Sequence, residues 1–180
     1  MIEIRWHGRG GQGAFTAARL LGAAAVLDGQ FALAFPSFGP ERRGAPVLAF
    51  TRIDGRRIGD RSALTSCDCA IVLDETLVGA DGVGGIREGG VLLVNAAGGG
   101  RGLAGGGRVI EVDATALAKE ILGRPMVNVA MLGALVAARA PVSLDAVEKA
   151  VRTELRGPIG EKNALLLRRC HDLVKEQLGG

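Results

Sequence analysis

MIEIRWHGRGGQGAFTAARLLGAAAVLDG, residues 1–29, is the stretch on which the fold turns. Met1 to Trp6 reads as a short strand, and Ala14 to Leu27 as an Ala/Leu helix with no breaker but Gly22. Asp28-Gly29 stops that helix. Between strand and helix lies Gly8-Arg9-Gly10-Gly11-Gln12-Gly13, a G-x-G-x-x-G pattern in the position of a dinucleotide fingerprint. Glycines let the backbone turn tightly and approach a ligand with no Cβ in the way. The helix N-terminus behind them offers unpaired N–H groups and about half a positive charge to an anion, and Arg9 adds a cation. Two readings stay open on these residues: an anion-binding loop, or a tight strand-to-helix turn with no ligand.

Working outward, Phe31 to Phe35 and Val47 to Ile53 are strand candidates, and Asp54-Gly55 is a turn into a hairpin partner near Ile58. Ala70 to Leu73, Val91 to Val94 and Val109 to Val112 are short apolar runs of the kind buried in parallel sheets. The second half is mostly helical. Asn128 stands as an N-cap before Val129 to Ala140, with Met131, Ala134, Leu135 and Ala138 on one face. Ser143 caps a helix whose Val147, Val151 and Leu155 step by four, and a last helix runs from about Glu161 to Leu178 with Leu166, Cys170, Leu173 and Val174 inward. Gly98 to Gly107, seven glycines in ten positions, reads as a flexible surface loop. The expected class is α/β: Rossmann-like, a mostly parallel sheet with flanking helices and a helical C-terminal part.

At 180 residues and 48% apolar composition the chain matches one domain, residues 1–180, and is too hydrophobic for disorder. Its apolar runs, Leu20 to Leu27 among them, are far short of a membrane span, so no membrane partner is expected. The net charge of +3 is carried mostly by arginine, with nine Arg against five acids through Arg61. That excess is too mild and scattered for a nucleic-acid footprint, and suits a small anionic ligand or an acidic partner. Three cysteines are an odd number, and the opening MIEIRWHG has no basic region followed by an apolar core; both point to a cytoplasmic chain with reduced thiols. Cys67-Asp68-Cys69 reads as small residues leading into a buried strand. Cys67, Cys69 and the distant Cys170 do not supply four thiolates for an iron-sulfur cluster. His7 and His171 lack an obvious third ligand, so no metal site is expected.

The second informative stretch is FPSFGPERRGAP, residues 35–46. Three prolines and two glycines make it a rigid, non-helical excursion, and it carries two aromatics, an acid and two guanidiniums. In a doubly wound sheet the loops after the first and second strands lie side by side at the carboxyl edge, where ligands bind. Residues 8–13 and 37–44 should therefore form one surface. Glu41 can pair with Arg42 or Arg43, leaving the other arginine for a phosphate, a carboxylate or a partner subunit. A stand-alone NAD(P)- or flavin-binding protein is the rival reading of the fingerprint. Against it, the acid that should end the second strand and hold a ribose is missing: that place reads Phe35-Pro36-Ser37, Asp28 comes too early, and Glu41 is followed by two arginines.

GRGGQG, AFPSFGPERRGAPV and AFTRI together resemble the gamma subunits of the 2-oxoacid:ferredoxin oxidoreductases, of which pyruvate synthase is the commonest type. The similarity continues through Asp68, Ile71-Val72-Leu73-Asp74-Glu75-Thr76-Leu77 and Asn128-Val129-Ala130-Met131-Leu132-Gly133-Ala134-Leu135, where Val129 replaces a common Thr. It spans roughly residues 2 to 156, and the glycine-rich stretch from Gly98 is not part of it. The form RRGAPV is closer to the pyruvate, branched-chain and aryl-glyoxylate types than to the 2-oxoglutarate type.

The resemblance implies a reaction: oxidative decarboxylation of a 2-oxoacid with coenzyme A, giving acyl-CoA, carbon dioxide and reduced ferredoxin. It implies thiamine diphosphate, Mg2+ and four-iron, four-sulfur clusters in the complex, with none of these cofactors bound by this chain alone. The implied partners are alpha, beta (thiamine diphosphate) and delta (ferredoxin-like) subunits, with ferredoxin or a flavin/NAD subunit as acceptor, and the isolated chain is expected to be inactive. No catalytic residue is assigned to it. Gly8, Arg9, Gly10, Gly11, Gln12, Gly13, Ser37, Phe38, Gly39, Glu41, Arg42 and Arg43 are the residues expected to support coenzyme A binding or assembly. A scaffold whose glycine loop only touches partner chains is the third reading.

Overall fold

The computed structural model describes residues 1–37, 44–79, 82–98, 107–139 and 141–179. Among them six strands form one sheet: β1 (Ile2–Arg9), β2 (Phe31–Pro36), β3 (Pro46–Asp54), β4 (Cys67–Val72), β5 (Ile86–Asn95) and β6 (Arg108–Val112), in the order β2-β3-β1-β4-β5-β6. The pairs β1–β4, β4–β5 and β5–β6 are parallel, while β3 runs antiparallel to both β1 and β2. Five strands thus share one direction, in keeping with the expected mostly parallel sheet. The helices are α1 (Ala14–Leu27), α2 (Ala114–Leu122), α3 (Asn128–Arg139), α4 (Leu144–Glu154) and α5 (Pro158–Gln177).

Strand alternation sorts the two faces. Ile4, Trp6, Ala49, Ile53, Ile71, Leu93 and Ile110 point into one core shared with all five helices. Phe50, Ala70, Val72, Leu92 and Val94 point to the other side, where, among the described residues, loops and a 3-10 turn at Glu75–Leu77 cover them. The helices therefore lie on one face of the sheet. On the other face the buried Arg52 and Glu3 pair at 2.8 Å, and Arg52 also donates to the Asp60 carbonyl at 2.6 Å, pinning the loop after β3. That loop runs through Ile58 without becoming a strand, contrary to the expected hairpin. Both edges of β3 are already taken, by β1 and β2, so no ladder is left for a further partner.

Three helical readings need correction. Asp113 caps α2 by accepting from the Ala116 amide at 2.8 Å, and Gly123 ends it with φ +71; these are ordinary stop and start signals that the sequence reading passed over. α5 starts at Pro158, three residues before the expected Glu161, because proline fits the first helical turn. Leu173 is 44% exposed, while Leu166, Cys170 and Val174 are buried as expected. Ser143 caps α4 as predicted, accepting from the Ala146 amide at 3.2 Å.

Of the glycine-rich stretch, Gly98 and Gly107 are among the described residues and 99–106 lie outside them. Gly107 is more than loop filler. A Cβ there would collide with the Gly90 carbonyl oxygen, so the chain entering β6 passes this close to the β5 backbone only because residue 107 is glycine.

Candidate functional site

The glycine loop caps the carboxyl end of β1 beside that of β4, where the Leu73 amide donates to the His7 carbonyl at 2.8 Å. Gln12 N donates to the Arg9 carbonyl at 2.9 Å, closing the turn, and Gly13 enters α1 with φ +79. Only glycine adopts that angle cheaply. Here space is also short: a Cβ on Gly13 would lie 2.6 Å from Asn128 Nδ2. Gly8 is similarly tight, its Cβ position being 3.2 Å from Ala14 Cβ and 3.3 Å from Leu73 Cδ1. Asn128 is thus the first residue of α3 rather than its cap, and its side chain donates to the Gly13 carbonyl at 3.3 Å, tying α3 to the loop.

Arg9 is engaged on three sides. Its Nε donates to Asp74 Oδ2 at 3.0 Å, Nη1 to the Gly44 carbonyl at 3.1 Å and Nη2 to Thr76 Oγ1 at 2.7 Å. Gln12 joins the same cluster, its Oε1 accepting from the Arg9 amide at 2.7 Å and its Nε2 donating to Asp74 Oδ2 at 3.2 Å. Asp74 Oδ1 accepts from the Thr76 amide at 3.0 Å and from Thr76 Oγ1 at 2.5 Å. Burial acts to raise the Asp74 pKa, but the bonds from Thr76, Gln12 and Arg9 outweigh it, and the carboxyl is held below its ordinary range. Sequence similarity flagged Asp74 and Thr76 without a role; the fold makes Asp74 the hub that fixes the loop.

The loop also meets the base of the second informative stretch. Gly10 N donates to the Ala45 carbonyl at 2.9 Å, and Gly44 N to the Gly10 carbonyl at 3.2 Å. The expected juxtaposition of the two stretches holds at Gly44 and Ala45, though by another route: β3 lies between β2 and β1 and brings the returning chain alongside the loop. Ser37 donates its amide to the Leu48 carbonyl at 2.8 Å, at the end of β2, roughly 10 Å from β1 across β3. Phe38, Gly39, Glu41, Arg42 and Arg43 lie outside the described residues. The inserted β3 also removes the ribose site of an ordinary dinucleotide domain. β2 no longer neighbours β1, and it ends in Phe35-Pro36 with no carboxylate.

A groove of about 490 Å³ opens in front of α1, with Gly13, Phe15, Arg124, Asn128, Ile159 and Asn163 among its lining residues. α1 begins with no side-chain cap and no acid in its first turn, so its first amides face this space uncompensated. Neither Arg124 nor Asn163 was singled out from the sequence. An arginine after a helix-ending glycine carries no local signal of what it will face.

His7 is half-buried and accepts a bond from Arg5 Nε at 3.0 Å. Burial, and then the Arg5 charge, push its pKa down to about 4, so it is neutral at pH 7. Among the described residues no three His, Cys, Asp or Glu side chains gather as a metal site, and no helix is long and apolar enough to cross a membrane. Cys67, Cys69 and Cys170 are free and buried, and burial pushes Cys69 and Cys170 up to about 12. Iodoacetamide at pH 8 is accordingly expected to label none of the three in the folded chain and all of them in denaturant; mass spectrometry counts the adducts. Fast native labelling would contradict this packing.

The family model for pyruvate ferredoxin/flavodoxin oxidoreductase matches residues 3–173. The chain is 47% identical to the pyruvate synthase subunit PorC of Methanothermobacter thermautotrophicus, over 98% of this chain and 97% of that one. It is 43% identical to the common gamma subunit of the pyruvate/ketoisovalerate oxidoreductases of Pyrococcus furiosus, over 96% of each. The crystal structure of the pyruvate oxidoreductase subunit PORC of Thermotoga maritima superposes with a TM-score of 0.83 at 40% identity, covering 95% of both chains. These relatives leave the stand-alone dinucleotide-binding reading without support. With a fold and a length that agree with theirs, the chain belongs to the pyruvate ferredoxin/flavodoxin oxidoreductase family, as a chain of its gamma-subunit type.

Proposed function

We propose that the chain, taken as one domain over residues 1–180, is the gamma subunit of a multi-subunit oxidoreductase that converts a 2-oxoacid and coenzyme A to acyl-CoA and carbon dioxide. Two electrons pass to ferredoxin, or to a flavin/NAD subunit. Pyruvate is the substrate best supported, since the relatives carry that name, with branched-chain 2-oxoacids next because one of them is shared with ketoisovalerate oxidation. Thiamine diphosphate with Mg2+ supplies the carbanion chemistry and four-iron clusters carry the electrons. The proposal places both on partners: a beta subunit for the former and a ferredoxin-like delta subunit for the latter, with an alpha subunit completing the complex in the cytoplasm.

This chain's part is to close the site from outside. Gly8 to Gly13 form a platform, and the roles proposed for Ser37, Phe38, Gly39, Glu41, Arg42 and Arg43 are contacts to coenzyme A or to a catalytic subunit. The observation that supports this reading is the seam of Gly10 with Gly44 and Ala45, the residues that follow Arg43 in sequence. Arg9 acts within the platform, its charge already matched by Asp74. The test is Arg42→Ala and Arg43→Ala in the purified complex. We expect the KM for coenzyme A to rise about tenfold, or the complex to lose subunits on gel filtration. Unchanged KM together with unchanged assembly would refute it.

A further inference from the structure

We infer that the end of the sheet opposite the glycine loop is a docking surface for an acidic protein chain, with Arg56, Arg57 and Arg61 as its cations and Met1 and Phe31 as its apolar contacts. The inference goes beyond the coenzyme A role and rests only on the reading of the chain as one subunit of an assembly.

β3 carries the chain away from the glycine loop. Pro46 pairs with Arg9 at one end of the strand, and Asp54 stands at the other, about 27 Å away. The loop that follows, residues 55–63, brings Arg56, Arg57 and Arg61 to the surface, all exposed, with Asp60 as its one acid. Its shape is fixed from inside. The buried Arg52, which donates to the Asp60 carbonyl, also pairs with Asp60 Oδ2 at 3.1 Å. Asp60 Oδ1 accepts from the Ser62 amide at 2.8 Å, and Asp54 Oδ1 from the Arg56 amide at 3.0 Å. A loop held in this way presents its guanidiniums at a low ordering cost on binding.

Charge at this end is unbalanced. Glu3 is matched by Arg52 and Arg87, Asp68 by Arg87, Asp60 by Arg52, and Asp54 by the Met1 amino group. Each of these acids thus has a cation other than the three exposed arginines. Among the described residues Arg56, Arg57 and Arg61 form no ion pair. Two further acids lie apart from the loop. Asp28 is turned to the helix layer, where it accepts from the Ser143 amide and hydroxyl. Glu88, exposed near the start of β5, is two strands from β1, roughly 10 Å, on the side away from β3.

The apolar contacts adjoin the loop. Phe31 opens β2 directly opposite Asp54, and Met1 reaches Asp54 through its amino group, so both flank the residue from which the loop departs. They are 46% and 63% exposed.

This make-up selects the partner. Arg, Met and Phe are the residues enriched at protein–protein contacts. Three cations fall short of the clusters of about four to eight that hold anionic lipid, and of the basic stripe that follows a nucleic acid. A second copy is disfavoured, because a two-fold contact here would set both groups of guanidiniums against each other in a chain already carrying +3. What fits is a surface of Asp and Glu carboxylates, each able to accept two parallel bonds from a guanidinium, with an apolar side chain resting on Met1 and Phe31.

The test uses the assembled complex. Arg56→Lys, Arg57→Lys and Arg61→Lys together keep the charge and supply amines for zero-length carbodiimide coupling to carboxylates. Mass spectrometry is expected to find these positions joined to Asp or Glu of a different chain. Arg56→Glu, Arg57→Glu and Arg61→Glu together are expected to weaken retention of the subunit about tenfold or more at low salt, read by native mass spectrometry, with the gap narrowing at high salt. Arg156→Glu, Lys162→Glu and Lys175→Glu, all at exposed positions on the helical side, change net charge equally and are expected to cost far less. Circular dichroism checks that each variant is folded. If no coupling to another chain forms and the Arg→Glu set is retained like wild type, the surface is overturned while the subunit reading stands. Coupling only to a second copy, or an equal loss in the control set, overturns it too. So does finding, in place of that coupling, binding to phosphatidylserine vesicles or duplex DNA that the Arg→Glu set loses. If the wild-type chain co-purifies with no other chain, both the surface and the subunit reading fall.

Discussion

Gly133→Ala is expected to destabilise the chain by about 3 kcal/mol, more than any other single methyl added to a helix. Gly133 lies within α3, where ordinary propensity makes alanine the better residue by about 1 kcal/mol. Tertiary packing reverses the sign. A Cβ at this position would stand 2.2 Å from the Leu167 carbonyl oxygen and 3.3 Å from the His171 amide nitrogen, both backbone atoms of α5. Backbone cannot rotate aside as a side chain can, so the two helices must separate and reopen the core around the buried Met131, Ala134, Leu167 and Cys170. In a chain of 180 residues such a loss lowers Tm by roughly 6 to 12 °C. Gly123→Ala is the comparison: its φ is +71 but nothing lies within 4 Å, so only the left-handed strain of about 1 kcal/mol applies. Thermal denaturation of both variants separates the two. Equal small shifts would show that α3 and α5 are not packed as described.

Asp74→Asn is expected to have the largest effect at the site. The substitution keeps the shape but removes the charge that Arg9, Gln12 and Thr76 converge on, and it turns one accepting oxygen into a donor facing donors. With Arg9 one-third exposed, water compensates part of the loss, and about 2 kcal/mol of stability is expected to go near pH 7. The functional cost should exceed the global one, because the freed glycine loop no longer presents the start of α1 in one geometry; the KM for coenzyme A in the complex rises and kcat falls with it.

The pH dependence has a definite sign. The folded chain holds the Asp74 carboxyl below its ordinary value of 3.8, so its contribution is fully present above about that pH. It is lost as pH falls through the lower folded value. Wild type and Asp74→Asn should therefore differ by a constant amount from pH 5 to 7 and converge in stronger acid. A difference that grew with acidification would contradict the hub.

Much of this protein is written locally. The strand–glycine loop–helix order of residues 1–29 needed only the period of the apolar residues and the breakers between them. The same holds for the apolar runs of β4, β5 and β6 and for the Ser143 cap, because each signal is complete within a few residues. The family, too, was legible in GRGGQG and in residues 35–46, since those motifs place special residues at fixed spacing. Other features depend on partners far along the chain. That β3 inserts between β2 and β1, and that α1 to α5 take the same face, are choices of pairing and side that strand-forming residues leave open.

The site divides the same way. The sequence offers Arg9 as the obvious cation, but Asp74, 65 residues away, consumes it, while Arg124 lines the groove with no ion pair among the described residues. Asn128 looks like a cap and instead fills the space that Gly13 leaves. Local chemistry specifies what a residue can do. Which of its bonds remain for a ligand is decided only when distant segments fold against it, because a buried donor or acceptor takes the first partner within reach.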